Sequence, residues 1–398
     1  MHATEVLDTS IGQSCQTMHQ GRFEALKVAV EAALSQRCVS VTGLGRAIEG
    51  RVDEKHSIKR MDRLVGNNHL LQEAPAVYRA MMGWLLTGIT RPMVVVDWSP
   101  LTPDNRLHVL RASLSVSGRA LTLYQEVHER RDLGSRAVQT DFLHRLAALL
   151  PDHCRPVVIT DAGFKNPWFR AVEALGWDWM GRIRGTTQLT RPGEEKWLRC
   201  TFLANVLHTG KPLYLGTFEV ARSNPIECSV YGLRKIPKGR VRRTRFGQNA
   251  QSKHNQASAH REREPWLIVT SLSEGEKLTQ QVLAAYRKRM TIEEGFRDTK
   301  SEYYGLGLDR ARSRSTGRFA LLLLINSLAL FTAWLFGKAA YLKKLHRRYQ
   351  ANTVTGRNVL SATFLGLRVI RRDALRLDRE LLTQIRGLLQ EADFGAVA

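Results

Sequence analysis

Acidic residues are in short supply in this 398-residue chain. Only 37 aspartates and glutamates stand against 60 lysines and arginines, so the formal net charge is +23. A folded chain with this imbalance repels itself unless it meets a polyanion. Nucleic acid is the first candidate partner, because basic side chains that neutralise phosphates release counterions. An anionic membrane surface is the second.

Cysteines are few and scattered, and no two of them form a C-x-x-C pair. The five are Cys15, Cys38, Cys154, Cys200 and Cys228. Zinc ribbons and disulfide frameworks are therefore poorly supported, and a reducing compartment fits. The first residues lack the basic flank and apolar run of a signal peptide. We therefore expect a cytoplasmic protein.

Long apolar runs are also rare. One stretch, Phe319–Phe336, has eighteen residues without a charge, which is near the length of a membrane span. Asn326, Ser327 and Thr332 interrupt it. With 43% hydrophobic residues the chain has enough apolar material for a large core. We interpret the run as a buried core helix and expect no membrane partner; a basic membrane-associated protein is the alternative.

The N-terminal part, residues 1–90, reads as helical. A short helix that Ser40 or Thr42 would cap is followed by a turn and a basic helix. That second helix carries Lys59, Arg60 and Arg63. The order is compatible with a helix-turn-helix that binds DNA. A small helical bundle with a solvated basic face explains it equally well.

From residue 91 the pattern becomes mixed. Buried-strand runs, amphipathic helices and a hairpin turning at Ser117-Gly118 predict an α/β fold with a mixed sheet. This part covers residues 91–185 and 264–308. Between them, 186–263 reads as a β-rich insertion with a basic arm, and 309–398 as a basic helical region. Seven of the twelve residues from Arg234 to Arg245 are basic. We favour DNA binding over a solvated loop for the arm, through Arg240, Arg242 and Arg243.

Two aspartates stand where buried strands end, Asp97 in VVVDWS and Asp161 in VVITDAGF. Open α/β sheets place their sites at such strand ends. Each aspartate alone is more often a turn or cap residue. A third acid on a downstream helix strengthens the functional interpretation.

That third acid lies in YRKRMTIEEGFRDTK, residues 286–300, which we predict to be one helix. At about 100° per residue, a stripe about 60° wide holds one acid, one tyrosine and several bases. Its members are Tyr286, Arg289, Glu293, Lys300 and, at its edge, Arg297. Glu294 points about 100° away from Glu293. An ordinary Arg289–Glu293 ion pair is the alternative.

Three carboxylates without a histidine or cysteine cluster favour a hard cation. Oxygen ligands suit Mg²⁺ or Mn²⁺. Two such ions hold the attacking and leaving oxygens of a phosphodiester displacement. The bases beside Glu293 would then contact the flanking phosphates.

The chain resembles the DDE transposases of bacterial insertion sequences, in the cut-and-paste group with the signature Y-x2-R-x3-E-x6-K. Tyr286, Arg289, Glu293 and Lys300 match that spacing, and VVVDWS, TDAGF and PWLIVTS match family blocks. The resemblance implies a ribonuclease-H-like catalytic core with an insertion before the glutamate. It implies Asp97, Asp161 and Glu293 as ligands of two Mg²⁺ ions, which Mn²⁺ can replace.

The resemblance also implies partners and DNA contacts. Family members act as homodimers in a synaptic complex on paired terminal inverted repeats of double-stranded DNA, here in the bacterial nucleoid. They cleave through a DNA hairpin and join the ends to target DNA. By this resemblance Tyr286, Arg289 and Lys300 contact phosphates, and Trp266 stacks on a flipped base. Arg184, which follows a predicted strand, would line the site.

Two other functions remain open from the sequence. A structure-specific nuclease on the same core would share the three acids without needing the signature residues. A catalytically silent DNA-binding regulator derived from a transposase would need no intact acids.

Overall fold

The computed structural model describes residues 2–236, 252, 264–354, 356–372 and 375–396. The chain divides into two compact units. Unit 1 combines Met1–Pro156 with Met290–Ala396, and unit 2 is Val157–Arg289.

Unit 1 begins with helices, as the N-terminal pattern predicts. They are α1 Ala3–Leu7, α2 Gln20–Gln36, α3 Val41–Arg46, α4 Glu54–Val65 and α5 Asn68–Leu85. Ser40 is the N-cap of α3, because its hydroxyl accepts a bond from the Gly43 N–H at 3.1 Å. Gly45 lets α3 approach α4 closely: an added Cβ would lie 2.4 Å from the Ile58 Cα. The seven residues between α3 and α4 exceed the three or four typical of a helix-turn-helix.

A three-stranded antiparallel sheet follows in unit 1. Its strands are β1 Met93–Pro100, β2 Leu107–Val116 and β3 Arg119–Glu129, in the order β3-β2-β1. The predicted hairpin is confirmed, with Gly118 in the left-handed region at φ +70°. The strand β1 runs three residues past Asp97, so this aspartate lies inside the strand and not at its end. Helix α6, Arg136–Leu149, comes next.

Unit 2 holds a mixed sheet with the order β4-β5-β10-β9-β8-β6-β7. Its strands are β4 Val157–Ile159, β5 Asp178–Ile183, β6 Gln188–Thr190, β7 Leu198–Arg199, β8 Leu213–Val220, β9 Ile226–Leu233 and β10 Trp266–Thr270. Its helices are α7 Asn166–Ala174 and α8 Thr279–Arg287. The β4–β5 pair is parallel and the described pairs from β5 onward are antiparallel. The predicted strand–helix–strand rhythm and the strand at EPWLIVTS are therefore confirmed.

The remaining helices return to unit 1. They are α9 Thr291–Lys300, α10 Thr316–Leu342, α11 Ala362–Arg372 and α12 Arg379–Gly387. Helix α10 contains the long apolar run, and 94% of its most apolar window is buried inside the protein. It packs against α2, α5, α11 and β3. The interpretation of this run as a core helix is confirmed.

Candidate active site

The stretch 286–300 is not one continuous helix, so that prediction is wrong. Helix α8 ends at Arg287, a 3₁₀ turn spans Lys288–Met290, and α9 starts at Thr291. Adjacent β-branched Thr291 and Ile292 weaken helix propensity at this junction. A 3₁₀ turn advances about 120° per residue, so angles cannot be counted across it.

The break also divides the predicted stripe between the two units. Tyr286 and Arg289 belong to unit 2, whereas Glu293 and Lys300 belong to unit 1. Within α9 the counting still holds. Glu293 and Lys300, seven residues apart, lie about 20° from each other around the axis.

Helix α9 lies on the sheet face that carries Asp97. The Lys300 ammonium donates to the Ser99 hydroxyl at 2.8 Å, and Ser99 shares a face of β1 with Asp97. On β2, Arg111 stands directly opposite Asp97 in the register. Its guanidinium donates to the Thr299 hydroxyl of α9 at 3.0 Å. The strand of one predicted metal ligand is thus covered by the helix of another.

The two adjacent glutamates have different surroundings. Glu294 forms ion pairs with Arg119 of β3, at 3.5 Å, and with Arg297. Arg119 also lies 2.8 Å from the buried Asp298 carboxylate. Glu293 is exposed, on the flank of α9 from which Lys300 reaches β1. Glu294 is thus paired with the protein's own arginines, whereas Glu293 is the more exposed of the two glutamates.

Burial shifts two pKa values on α9. Burial raises the pKa of Asp298 to about 6, although the charges of Arg119 and Arg297 act against it. Burial lowers the pKa of Lys300 to about 8, with Asp309 opposing and Arg111 reinforcing the shift. Both groups sit at the border between helix and sheet, where water is scarce.

Asp161 belongs to unit 2. It stands two residues after β4, and its Oδ1 accepts a bond from the Gly163 N–H at 2.7 Å. This turn orients the carboxylate beyond the strand. The three predicted acids are thus distributed as Asp97 and Glu293 in unit 1 and Asp161 in unit 2.

The aromatic residues predicted to meet DNA are packed in unit 2. Trp266 is 9% and Tyr286 is 3% exposed, and their rings meet edge to face at 5.2 Å. The Lys235 ammonium lies 3.2 Å from the centre of the Trp266 ring. Base stacking on Trp266 would require Lys235 to move aside.

Arg184 is exposed directly after β5, as predicted. Arg182, which sequence reasoning missed, lies on the same strand. Burial lowers its pKa, and the charges of Arg184 and Arg289 lower it further. The alternating arginines of GRIRG were the signal that would have identified it.

Unit 1 carries a basic surface on and beside α4. On α4, Lys59, Arg60 and Arg63 are exposed, and Lys59 is paired with Asp62 at 3.1 Å. Beside α3 and α4 lies an open cleft that sequence reasoning missed. Five arginines line it: Arg46, Arg310, Arg312, Arg314 and Arg318. The alternating RARSR at 310–314 was the available signal.

The predicted contacts Arg240, Arg242 and Arg243 lie outside the described residues.

Carboxylate oxygens are suitable donors for Mg²⁺ or Mn²⁺, so the chemistry of the three acids fits a hard divalent ion. Among the described residues, no group of three or more His, Cys, Asp or Glu side chains is close enough to hold a metal ion. Joint ligation by the three acids therefore remains a prediction.

The comparisons with known proteins give one positive result. Residues 91–331 match the family model of the transposase DDE domain. No curated protein matches the chain. The α/β architecture of mixed strands and helices fits the ribonuclease-H-like core expected for this family. Because the match covers more than half of the 398 residues, this chain belongs to the family of DNA-acting transposases with a DDE domain.

Proposed function

We propose that the protein is a cut-and-paste transposase that acts on the terminal inverted repeats of its own mobile element. Beyond the family match, the supporting observation is the placement of α9. Its Lys300 donates to Ser99, which lies two residues from Asp97 on β1. Its Thr299 accepts from Arg111, which lies directly opposite Asp97 on β2. This anchoring supports the proposal, because the helix that carries the glutamate of the predicted triad packs on the sheet beside Asp97.

In this proposal Asp97, Asp161 and Glu293 hold two Mg²⁺ ions, for which Mn²⁺ can substitute. The ions would activate the attacking oxygen and stabilise the leaving one. The protein's own contribution is orientation. Lys300, with a pKa of about 8, is largely protonated at neutral pH, and it is bonded to β1 at Ser99. It would hold a phosphate next to the acids while keeping α9 in register.

The DNA hairpin step is assigned to unit 2. Trp266 would stack on a base flipped out of the helix, which compensates lost stacking by about 1–3 kcal/mol. The Lys235 ammonium lies over one face of the ring, 3.2 Å from its centre, so a base that stacks on that face would displace this cation. A phosphate is a natural new partner for it. Tyr286, Arg289 and Arg184 would contact the strand near the cleaved end.

The basic surface of unit 1 is proposed to bind the repeat. Arg60 and Arg63 on α4, and Arg312 and Arg314 in the cleft, are exposed and have no ion-pair partner among the described residues. Such cations gain affinity when they replace condensed counterions. We further propose that two copies of the chain pair two ends in a synaptic complex before joining them to target DNA.

The test uses the short inverted repeats expected beside the gene. Purified protein, Mg²⁺ and a linear DNA carrying one repeat should yield a nick and then a hairpin on the element's end. Cleavage at branched DNA regardless of the repeat would favour a structure-specific nuclease. Tight binding to the repeat without cleavage in Mg²⁺ or Mn²⁺ would favour a silent regulator.

A further inference from the structure

A buried cation stands beside the proposed site without an ion-pair partner among the described residues. Arg111 of β2 is 2% exposed, and burial lowers the pKa of its guanidinium to about 10. Its hydrogen-bond acceptors are neutral: the Gln125 side-chain oxygen at 2.8 Å and the Thr299 hydroxyl at 3.0 Å. The Phe296 ring lies 4.8 Å away. A buried charge of this kind is costly, so its presence calls for a reason.

The contacts of Arg111 connect the parts of the site that belong to unit 1. Through the register it is the direct neighbour of Asp97 across the sheet, which places the two Cβ atoms about 4.5–5.5 Å apart. Through Thr299 it is tied to α9, the helix of Glu293. Gln125 continues the connection to α10, by donating to the Ser327 hydroxyl at 2.7 Å.

A small cavity adds one more connection. It has a volume of about 10 Å³ and is lined by Arg111 and Asp298 among others. That is room for about one water molecule. The Arg111 Nη2 and the Asp298 Oδ1 are both buried without a hydrogen-bond partner among the described residues. One water between these two atoms would satisfy both and give the guanidinium a nearby carboxylate.

We propose that Arg111 is a positioning residue that sets the spacing between Asp97 and Glu293. Its planar fork joins β2 to α9 on one side and to Gln125 on the other, and a water in the cavity would join it to Asp298. Lysine has no such fork. Arg111 does not touch the metal ions or DNA in this account; it acts through the helix and strand that carry the acids. This inference rests on the proposed function of those acids.

The experiment measures metal binding apart from turnover. Free Mn²⁺ is followed by electron paramagnetic resonance in titrations of the full chain, alone and with repeat DNA. The variants are Arg111→Met, Arg111→Lys and Thr299→Val. Lys27→Met is the matched control, because Lys27 is a buried cation on α2, bonded to Asp8 at 2.8 Å. Melting temperature is recorded for each.

Arg111→Met should raise the half-saturating Mn²⁺ concentration about tenfold, the usual scale for residues that orient metal ligands. Arg111→Lys should raise the half-saturating Mn²⁺ concentration less than Arg111→Met does, because lysine keeps the positive charge but lacks the planar guanidinium fork. Thr299→Val, which keeps the buried charge, should give about a threefold rise and serves if Arg111→Met does not fold. Lys27→Met should lower the melting temperature and leave Mn²⁺ binding unchanged.

Two results would overturn the proposal in different ways. If Asp97→Ala loses Mn²⁺ binding while Arg111→Met and Thr299→Val bind as the wild type does, only the positioning role is wrong. If Asp97→Ala itself binds Mn²⁺ and cleaves repeat DNA normally, the proposed function of the acids fails, and the positioning role fails with it.

Discussion

The acidic side chains on two faces of helix α9 have different surroundings. Toward β3, Glu294 and Asp298 are held by Arg119 at 3.5 and 2.8 Å. About 100° around the axis from Glu294, Glu293 is exposed beside Lys300. Acids on the inner face pair with the protein's own arginines, and the proposed metal ligand Glu293 lies on the more exposed flank. Adjacent residues in the sequence thus have different surroundings because a helix turns them about 100° apart.

The difference predicts which carboxylate is essential. Glu293→Gln removes a proposed metal ligand, so we expect DNA cleavage to fall by at least about 10³-fold, the scale of about 4 kcal/mol in the barrier. Glu294→Gln should retain cleavage within about tenfold. Cleavage rates on repeat DNA in Mg²⁺ test both.

Repeat binding, measured by mobility shift, is the control and should be near normal in both variants. Equal loss of cleavage would mean that α9 presents the two glutamates differently from this structure.

The inner face depends on Arg119. Arg119→Met leaves the buried Asp298 carboxylate without its nearest cation, and breaking a buried pair in this way costs about 3–5 kcal/mol. We expect a loss of this order in the free energy of unfolding at pH 7, measured by urea denaturation. Arg131→Met is the matched control, because Arg131 pairs with Glu129 at the surface with 79% of its side chain exposed. A similar small loss in both variants would show that the inner face is not the anchor.

Asp298 should make stability depend on pH. Its folded pKa of about 6 lies above the ordinary value of 3.8. The folded state therefore binds more protons between these pH values, and stability falls as pH rises through them. Relative to Asp298→Asn, the wild type should lose about 2.4 kcal/mol of unfolding free energy between pH 4 and pH 7. A difference that stays flat over this range would contradict the burial argument.

The smallest effect on stability is expected from Glu294, the partly exposed acid on the side of α9 that faces β3. The Glu294 side chain is 37% exposed, and ion pairs at that exposure contribute about 0–1 kcal/mol. Glu294→Gln should thus change the free energy of unfolding by less than about 1 kcal/mol, and less still at high salt. Thermal unfolding at low and high salt checks this; a loss above 2 kcal/mol would place Glu294 with Asp298 as an anchor.

The sequence predicts those elements that carry a local pattern of apolar and turn residues. Alternation and turn residues identified the β2–β3 hairpin, apolar periodicity identified α6, and a long uncharged apolar run identified α10. Within α9, helical spacing still places Glu293 and Glu294 about 100° apart, and their roles stay a prediction. These features depend on neighbours only a few residues away, so single-sequence patterns contain them.

Features that depend on distant partners were not predicted. Arg111 reads as an ordinary strand residue, because its burial depends on Thr299, 188 positions away. The packing of Trp266 under Lys235 also joins separate segments. Their contacts form only when the chain has folded.

The central proposal is that Asp97, Asp161 and Glu293 are all required for cutting transposon ends, and Asp161 tests it most directly. Asp161 is the one predicted ligand in unit 2. Asp161→Ala should bind repeat DNA as the wild type does, yet give neither nick nor hairpin in Mg²⁺ or Mn²⁺. Cleavage of the repeat end by Asp161→Ala at the wild-type rate would contradict the account.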